Sequence, residues 1–397
     1  MELSKKQSTF ALLSLAVSAF AIGTTEFISV GLLPLIADDL DIPITLAGLT
    51  VSLYALGVTF GAPLLTALTS SMSRKTLLIW IMLIFIVGNS LAATATTIEI
   101  LLIARIVSAF SHGLFMSIGS TIAASLVPEN RRATAISMMF TGLTVATVTG
   151  VPFGTFIGQH IGWRAAFIAI ILIGVIALIA NTVLVPANLQ KGVKVTLRDQ
   201  ISLLKNERLL LLFTITALGY GGTFVVFTYL SPLLVGISGF SENAVALILV
   251  FYGIAIAIGN MIGGKLSNKN PIRALFYMFI VQALILLVLM FTAPFKTWGL
   301  ITILLMGLFA FMNVPGLQVY VVMLAERFVP RAVDVASAIN IAAFNAGIAI
   351  GSYVGGVVTD TIGLIHTTWT GALMVLVAAL LSGVSKSLEQ KDAREAS

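Results

Sequence analysis

The chain has 397 residues, 58% of them hydrophobic and 10% charged, with a formal net charge of +6. An ordinary soluble domain carries roughly 25% charged residues, so this composition excludes a water-soluble globule and suits a bundle whose outside meets lipid. There is no cysteine, which excludes disulfides and thiolate metal sites, and the bases fall in connectors rather than on one amphipathic face, which argues against nucleic acid.

The first apolar run starts behind Lys5 and Lys6 and contains Ala19-Phe20-Ala21, a triplet like a signal-peptidase site. The run continues to Ile36, which predicts an uncleaved span over 9–36. Further spans are predicted over 45–69, 76–95, 98–126, 133–158 and 163–185. After a charged connector come 209–237, 243–266, 272–293, 297–324, 333–359 and 366–386. Each run is long enough to cross a bilayer as a helix. The predicted fold is therefore all-α and membrane-integral: twelve transmembrane helices in two pseudo-symmetric six-helix bundles. Residues 1–185 form the first bundle, 186–208 the linker, and 209–397 the second bundle with a short tail. Leu197 and Ile201–Leu204 in the linker suggest a short amphipathic helix at the membrane surface.

Alternate connectors hold the bases. Lys5, Lys6, Arg74, Lys75, Arg131, Arg132, the linker bases, Lys265, Lys269, Arg273, Arg327, Arg331, Lys386, Lys391 and Arg394 lie on one side. The other side has only Arg164 and Lys296, beside Asp38, Asp39, Asp41, Glu99 and Glu242. The positive-inside rule then puts both termini in the cytoplasm. A trace of duplication accompanies this layout. Tyr54, Gly61, Leu68, Lys75 and Leu77 match Tyr252, Gly259, Leu266, Arg273 and Leu275 at one ungapped offset, and Gly150 and Gly154 match Gly351 and Gly355. Paired repeats around a mid-membrane site are a transporter architecture.

Away from helix ends, only Glu26, Arg105 and His112 are ionisable within the predicted spans. Each needs a partner or a wet cavity, because a charge at the bilayer centre costs at least about 2.5 kcal/mol. Glu26 and Arg105 each lie seven residues inside the outer boundary, roughly 10 Å deep at the helical rise. His112 follows Arg105 by two turns and shares its face. One reading makes Glu26 a proton carrier whose proton affinity Arg105 sets; another makes the two a permanent structural pair; a third leaves them apart. His112 is either an interhelical hydrogen-bonding group or a substrate contact, and as the one membrane-buried histidine it does not suggest a metal.

Span five contains Gly142, Gly150, Pro152, Gly154 and Gly158, a packing and hinge surface in which Pro152 permits a bend. Gly162-Trp163-Arg164 follows, alone no more than a membrane anchor. The second half offers only neutral polar groups within its spans: Asn260, Gln282, Asn313, Gln318, Asn340 and Asn345, with Tyr220, Tyr229 and Tyr320. Of these, Asn313, Gln318, Asn340, Asn345 and Tyr229, with His112, are the candidate substrate contacts; bonding between helices is the competing use. No phosphate-binding loop, metal cluster or nucleophile elbow is present, so the sequence argues against an enzyme and implies no cofactor.

Gly23-Thr24-Thr25-Glu26-Phe27 with Gly31-Leu32-Leu33-Pro34, Arg105 with His112-Gly113, Gly150-Val151-Pro152-Phe153-Gly154, and Gly162-Trp163-Arg164 with Phe167 resemble the major facilitator superfamily. The resemblance covers essentially the whole chain. Within that superfamily it is similar to the bacterial drug:proton antiporter branch that includes sugar-efflux, arabinose-efflux-like and purine-efflux proteins. It implies a monomeric secondary transporter of the bacterial inner membrane, which works by alternating access around a central cavity. Its partners would be protons, the lipid bilayer and a small organic solute such as a drug, sugar or nucleobase, moved outward against protons. A proton-independent facilitator, an importer of the same fold and a non-transporting sensor are the alternatives. One motif departs: in the loop after span two Arg74 and Lys75 remain, but Thr66, Ser70 and Ser73 replace the usual Gly, Asp and Gly, and Asn268 stands in the matching acid position of the second half. The cytoplasmic charge latch that this loop forms in the superfamily is thereby in doubt, leaving Arg74 and Lys75 as orientation signals.

Overall fold

The computed structural model describes residues 5–69, 72–128, 132–187, 189, 203–267, 270–329 and 333–395. Two compact units divide the chain, Met1–Val195 and Thr196–Ser397. Among the described residues, twelve helices are long and apolar enough to cross a membrane. Arg131, Ser70, Asn268 and the linker residues Lys191, Lys194, Leu197, Arg198 and Ile201 lie outside the described residues.

In the first unit, spans one to four are Lys5–Asp39, Ile44–Thr69, Arg74–Ala93 and Ile98–Ser125. Span five runs through Arg132–Val145, Ala146–Gly150 and Val151–Ile161, and span six is Trp163–Leu184. In the second unit, span seven is Glu207–Phe227 continued by Leu230–Gly236, span eight Glu242–Ser267 and span nine Pro271–Thr292. Span ten is Lys296–Ala310 continued by Asn313–Phe328, span eleven Val333–Thr361 and span twelve Thr367–Glu395.

Polar residues just ahead of the apolar runs start several helices. Ser73 accepts from the Thr76 amide, Asn206 from those of Arg208 and Leu209, and Asn270 from that of Arg273. Such caps satisfy amides that a helix end leaves open.

Three spans depart from the single runs expected of them, each beside a proline. A proline has no N–H to return to the carbonyl four residues back. Ahead of Pro152 span five widens into a π-turn, in which the Val151 amide bonds Ala146. Span seven breaks at Thr228–Tyr229, four and three residues ahead of Pro232. Span ten breaks at Phe311–Met312, ahead of Pro315. Pro34 and Pro63 are accommodated inside continuous helices.

Small residues set the closest helix contacts. A Cβ at Gly142, Gly150, Gly154 or Gly158 of span five would strike Ala16, Thr24, Ile28 or Leu32 of span one. On span eleven a Cβ at Gly347 or Gly351 would strike the carbonyl of Ala217 or Gly221 on span seven. Spans two and four close in the same way through Gly61 and Phe110, and spans eight and ten through Gly259 and Leu308.

Candidate functional site

Arg105 is the largest fully buried side chain of the first unit, 1% exposed in the middle of spans one, two and four. Its Nε donates to the Thr50 carbonyl at 3.1 Å, one terminal nitrogen to the Thr25 carbonyl at 2.7 Å, and the other to the Glu26 carbonyl at 3.1 Å. Helix carbonyls that already accept an i+4 amide keep a second lone pair for such a donor. The guanidinium carbon lies 4.1 Å from the centroid of the Tyr54 ring, a cation–π contact that covers one face of the ion. The Tyr54 hydroxyl in turn meets His112 Nδ1 at 3.2 Å. His112 is thus tied to Arg105 through Tyr54.

The structure brings Glu26 and Arg105 together, through the Glu26 main chain and not through its carboxylate. Among the described residues the Glu26 carboxylate makes no hydrogen bond, whereas Arg164 forms an ion pair with Asp39 elsewhere in the unit. Glu26 is 8% exposed, so its carboxyl sits within the bundle while three of the five Arg105 donors are engaged by carbonyls. Next to it Thr25 donates to Asn89 Oδ1 at 3.2 Å, joining span one to span three.

Sequence reasoning passed over Tyr54 as a site residue, because a tyrosine in an apolar span carries no sign of which helix it faces. It also read Trp163-Arg164 as a lipid-interface anchor. Trp163 is instead 2% exposed, and its Nε1 donates to Asp39 at 3.1 Å. Arg164 bonds the same Asp39 oxygen at 2.6 Å and the Ala95 carbonyl at 2.9 Å. Together they fasten the ends of spans one, three and six. The visible signal was a cation and an acid in connectors of the same side.

In the second unit the neutral candidates divide. Thr216 donates to Asn340, Asn340 to Gln318 at 2.6 Å, and Gln318 to Ser337, so two candidate substrate contacts are bonded to each other. Tyr229 lies in the break of span seven, buried, with its hydroxyl on the Ser352 carbonyl at 3.4 Å. Asn313 and Asn345 differ: each amide nitrogen bonds a carbonyl of its own span, and each side-chain oxygen is buried without a partner. Gln282 donates to Thr223 at 3.0 Å.

Gly150, Gly154 and Gly158 face span one, as above, and Pro152 follows the π-turn. Arg74 and Lys75 occupy the first turn of span three, where a base opposes the positive end of the helix dipole. Ser73, in a departed motif position, caps that helix, and Thr66 has a buried hydroxyl without a partner. Among the described residues no group of His, Asp or Glu is arranged to hold a metal.

The family model described as the Major Facilitator Superfamily matches residues 15–327. The chain belongs to that family. It is 75% identical over 396 residues to the MFS-type transporter YtbD of Bacillus subtilis (strain 168), covering 100% of both chains. It is 37% identical over 373 residues to the inner membrane transport protein YdhP of Escherichia coli (strain K12), covering 94% of this chain and 95% of that one. A solved superfamily fold, a bacterial homolog of the human lysosomal transporter Spinster, superposes with a TM-score of 0.78 at 15% identity, over 97% of this chain and 98% of that chain. As a superfamily member the chain is a multi-pass bacterial membrane transport protein, not an enzyme.

Proposed function

We propose that the chain exports a small organic solute across the bacterial inner membrane in exchange for protons, by alternating access, with both termini cytoplasmic. The observation that carries this reading is the buried Glu26 carboxyl beside an Arg105 whose three hydrogen bonds all go to main-chain carbonyls. An unpaired charge inside a membrane is costly, and a guanidinium contact removes much of that cost. A conformational change that moved Arg105 from the Thr25 and Glu26 carbonyls onto the Glu26 carboxylate would therefore change how tightly Glu26 holds its proton. That difference is what couples proton flow to transport. Tyr54 and His112 act as positioning groups that hold the guanidinium in its carbonyl-bound arrangement.

For the solute we assign Asn313 and Asn345, whose buried oxygens have no protein partner, and assign Gln318, Asn340 and Tyr229 to holding helices together. The 1–185 and 209–397 bundles are the two moving bodies, joined by 186–208, and the transporter acts as a monomer. Outward direction rests on the likeness of Gly150-Val151-Pro152-Phe153-Gly154 to the antiporter motif. The inner-membrane setting is supported by the likeness to the inner membrane transport protein YdhP.

The test is a solute panel on proteoliposomes carrying an internal pH dye, comparing the native protein with Glu26→Gln. Proton movement triggered by one solute and lost in the variant supports the reading. Solute transport that persists in the variant, with no proton movement in either protein, overturns it.

A further inference from the structure

The second unit carries a groove of about 610 Å³ along spans eight, nine and ten that the transport reading leaves unused. Leu266, Tyr277, Val281, Leu308 and Phe309 form its walls, and its polar members, Asn270 and Arg273, are neighbours at the start of span nine. Leu266, Tyr277 and Val281 are exposed, so the groove opens to what surrounds the protein. In a membrane span that medium is lipid.

Arg273 stands in the first turn of span nine, exposed, and its side chain has no hydrogen bond or ion pair among the described residues. Lys386 of span twelve is a second base at the same end, its Nζ 5.9 Å from the Tyr277 ring centroid and 5.4 Å from that of Phe276. It too has no acid partner among the described residues. Arg273 and a helix N-terminus thus stand in the groove where spans eight and ten finish and span nine begins, with Lys386 beside the Tyr277 ring that lines it. From Arg273 to Val281 the groove descends about 12 Å along the helix at the usual rise.

The ligand chemistry follows from that pairing of ends. A soluble anion would use the cations and leave the apolar walls bare. A zwitterionic lipid would fill the walls and bring its own cation to the two bases. An anionic phospholipid satisfies both, and the helix N-terminus adds to the attraction for its phosphate. We propose that this groove binds one anionic phospholipid, its headgroup against Arg273 and Lys386 and an acyl chain along Tyr277, Val281 and Phe309. The inference is independent of which solute is carried and in which direction.

Native mass spectrometry of the purified full chain, with phosphatidylglycerol or phosphatidylcholine of identical acyl chains, tests it. The native protein should retain one phosphatidylglycerol with a roughly thirtyfold preference, the scale expected of two bases near an anionic headgroup. The double change Arg273→Ala with Lys386→Ala should erase that preference. Val281→Trp should fill the groove and release the lipid with both bases in place. Thermal unfolding without added lipid checks that both variants are folded, and Arg273→Gln alone replaces the double change if it is not. Equal retention of the two lipids, a preference that survives the loss of both bases, or retention undiminished in Val281→Trp would each overturn the proposal. So would stabilisation by glycerol 3-phosphate as large as that by the lipid, since that would describe a site for a soluble anion.

Discussion

In the first unit Gly61 of span two rests on Phe110 of span four; in the second, Gly259 of span eight rests on Leu308 of span ten. The offset between these contacts is the one that relates Tyr54 to Tyr252. Carried along span four, it puts Ile303 where Arg105 stands and Ala310 where His112 stands. Spans one and seven correspond through the glycines that meet them, Gly150 on Thr24 and Gly351 on Gly221, Gly154 on Ile28 and Gly355 on Val225. By that correspondence Thr223 takes the place of Glu26. In the second unit, then, Thr223 accepts an ordinary hydrogen bond from Gln282 and Ile303 is a buried apolar side chain. Close packing was retained in both halves because small residues at helix crossings leave few alternatives. Ionisable chemistry was not, because a buried charge needs a dedicated set of partners.

The largest break in this comparison should come at Glu26. Glu26→Gln keeps the shape of the side chain, and solute-driven proton movement should fall by roughly a hundredfold or more, the scale of losing a group that a proton-transfer step requires. Thr223→Val, at the corresponding place, should leave coupling in the proteoliposome assay intact. Next is Arg105→Ala, which strips three carbonyl bonds and a cation–π contact and should cost about 3 kcal/mol by analogy with breaking buried charged networks. Ile303→Val should cost about 1 kcal/mol, as one buried methyl group does. Both are read from thermal unfolding in detergent.

The shared packing is sharpened by Gly347→Ala, whose Cβ would collide with the Ala217 carbonyl. It should destabilise by about 2 kcal/mol, in the range of overpacking. Gly264→Ala is the control, since the nearest atom to its new Cβ would be Pro315 Cβ at 3.8 Å. Asn340→Ala removes the middle of the Thr216–Asn340–Gln318 chain and should cost about 1–2 kcal/mol for polar groups left unpaired, with solute affinity in flux assays unchanged. Asn345→Ala should show the reverse, weaker solute transport with little loss of stability. The smallest effect is expected at Asp39→Asn. Its ion pair with Arg164 is 44% and 34% exposed on the two sides, and an exposed pair contributes about 1 kcal/mol at most.

Much of the fold was legible because hydropathy acts locally: a run of membrane length must satisfy its backbone internally and so becomes a helix. The places where the reading failed are local as well. The breaks at Thr228–Tyr229 and Phe311–Met312 were smoothed over, since apolar side chains continue across them while Pro232 and Pro315 interrupt the backbone bonds. At the site, Glu26, Arg105 and His112 stood out through the cost of burying them. Their contacts did not, because a helix records its period in sequence and not the identity of the helix it faces. Tyr54, Thr50 and Thr25 could be joined to Arg105 only once spans one, two and four were packed. Trp163 shows the same gap: its indole suits a membrane interface in composition, and only the folded chain brings Asp39 to its nitrogen.

By itself the sequence determined twelve helices in the membrane, the alternation of basic connectors, and which few side chains would be expensive to bury. Tertiary structure alone decided that Arg105 binds carbonyls and leaves the Glu26 carboxylate bare, that Asn340 and Gln318 satisfy each other, and that Lys386 comes from span twelve to the Tyr277 ring of span nine. The physical reason is that hydrophobicity sums along a segment, whereas hydrogen bonds and charge pairs depend on a few ångströms between segments distant in the chain.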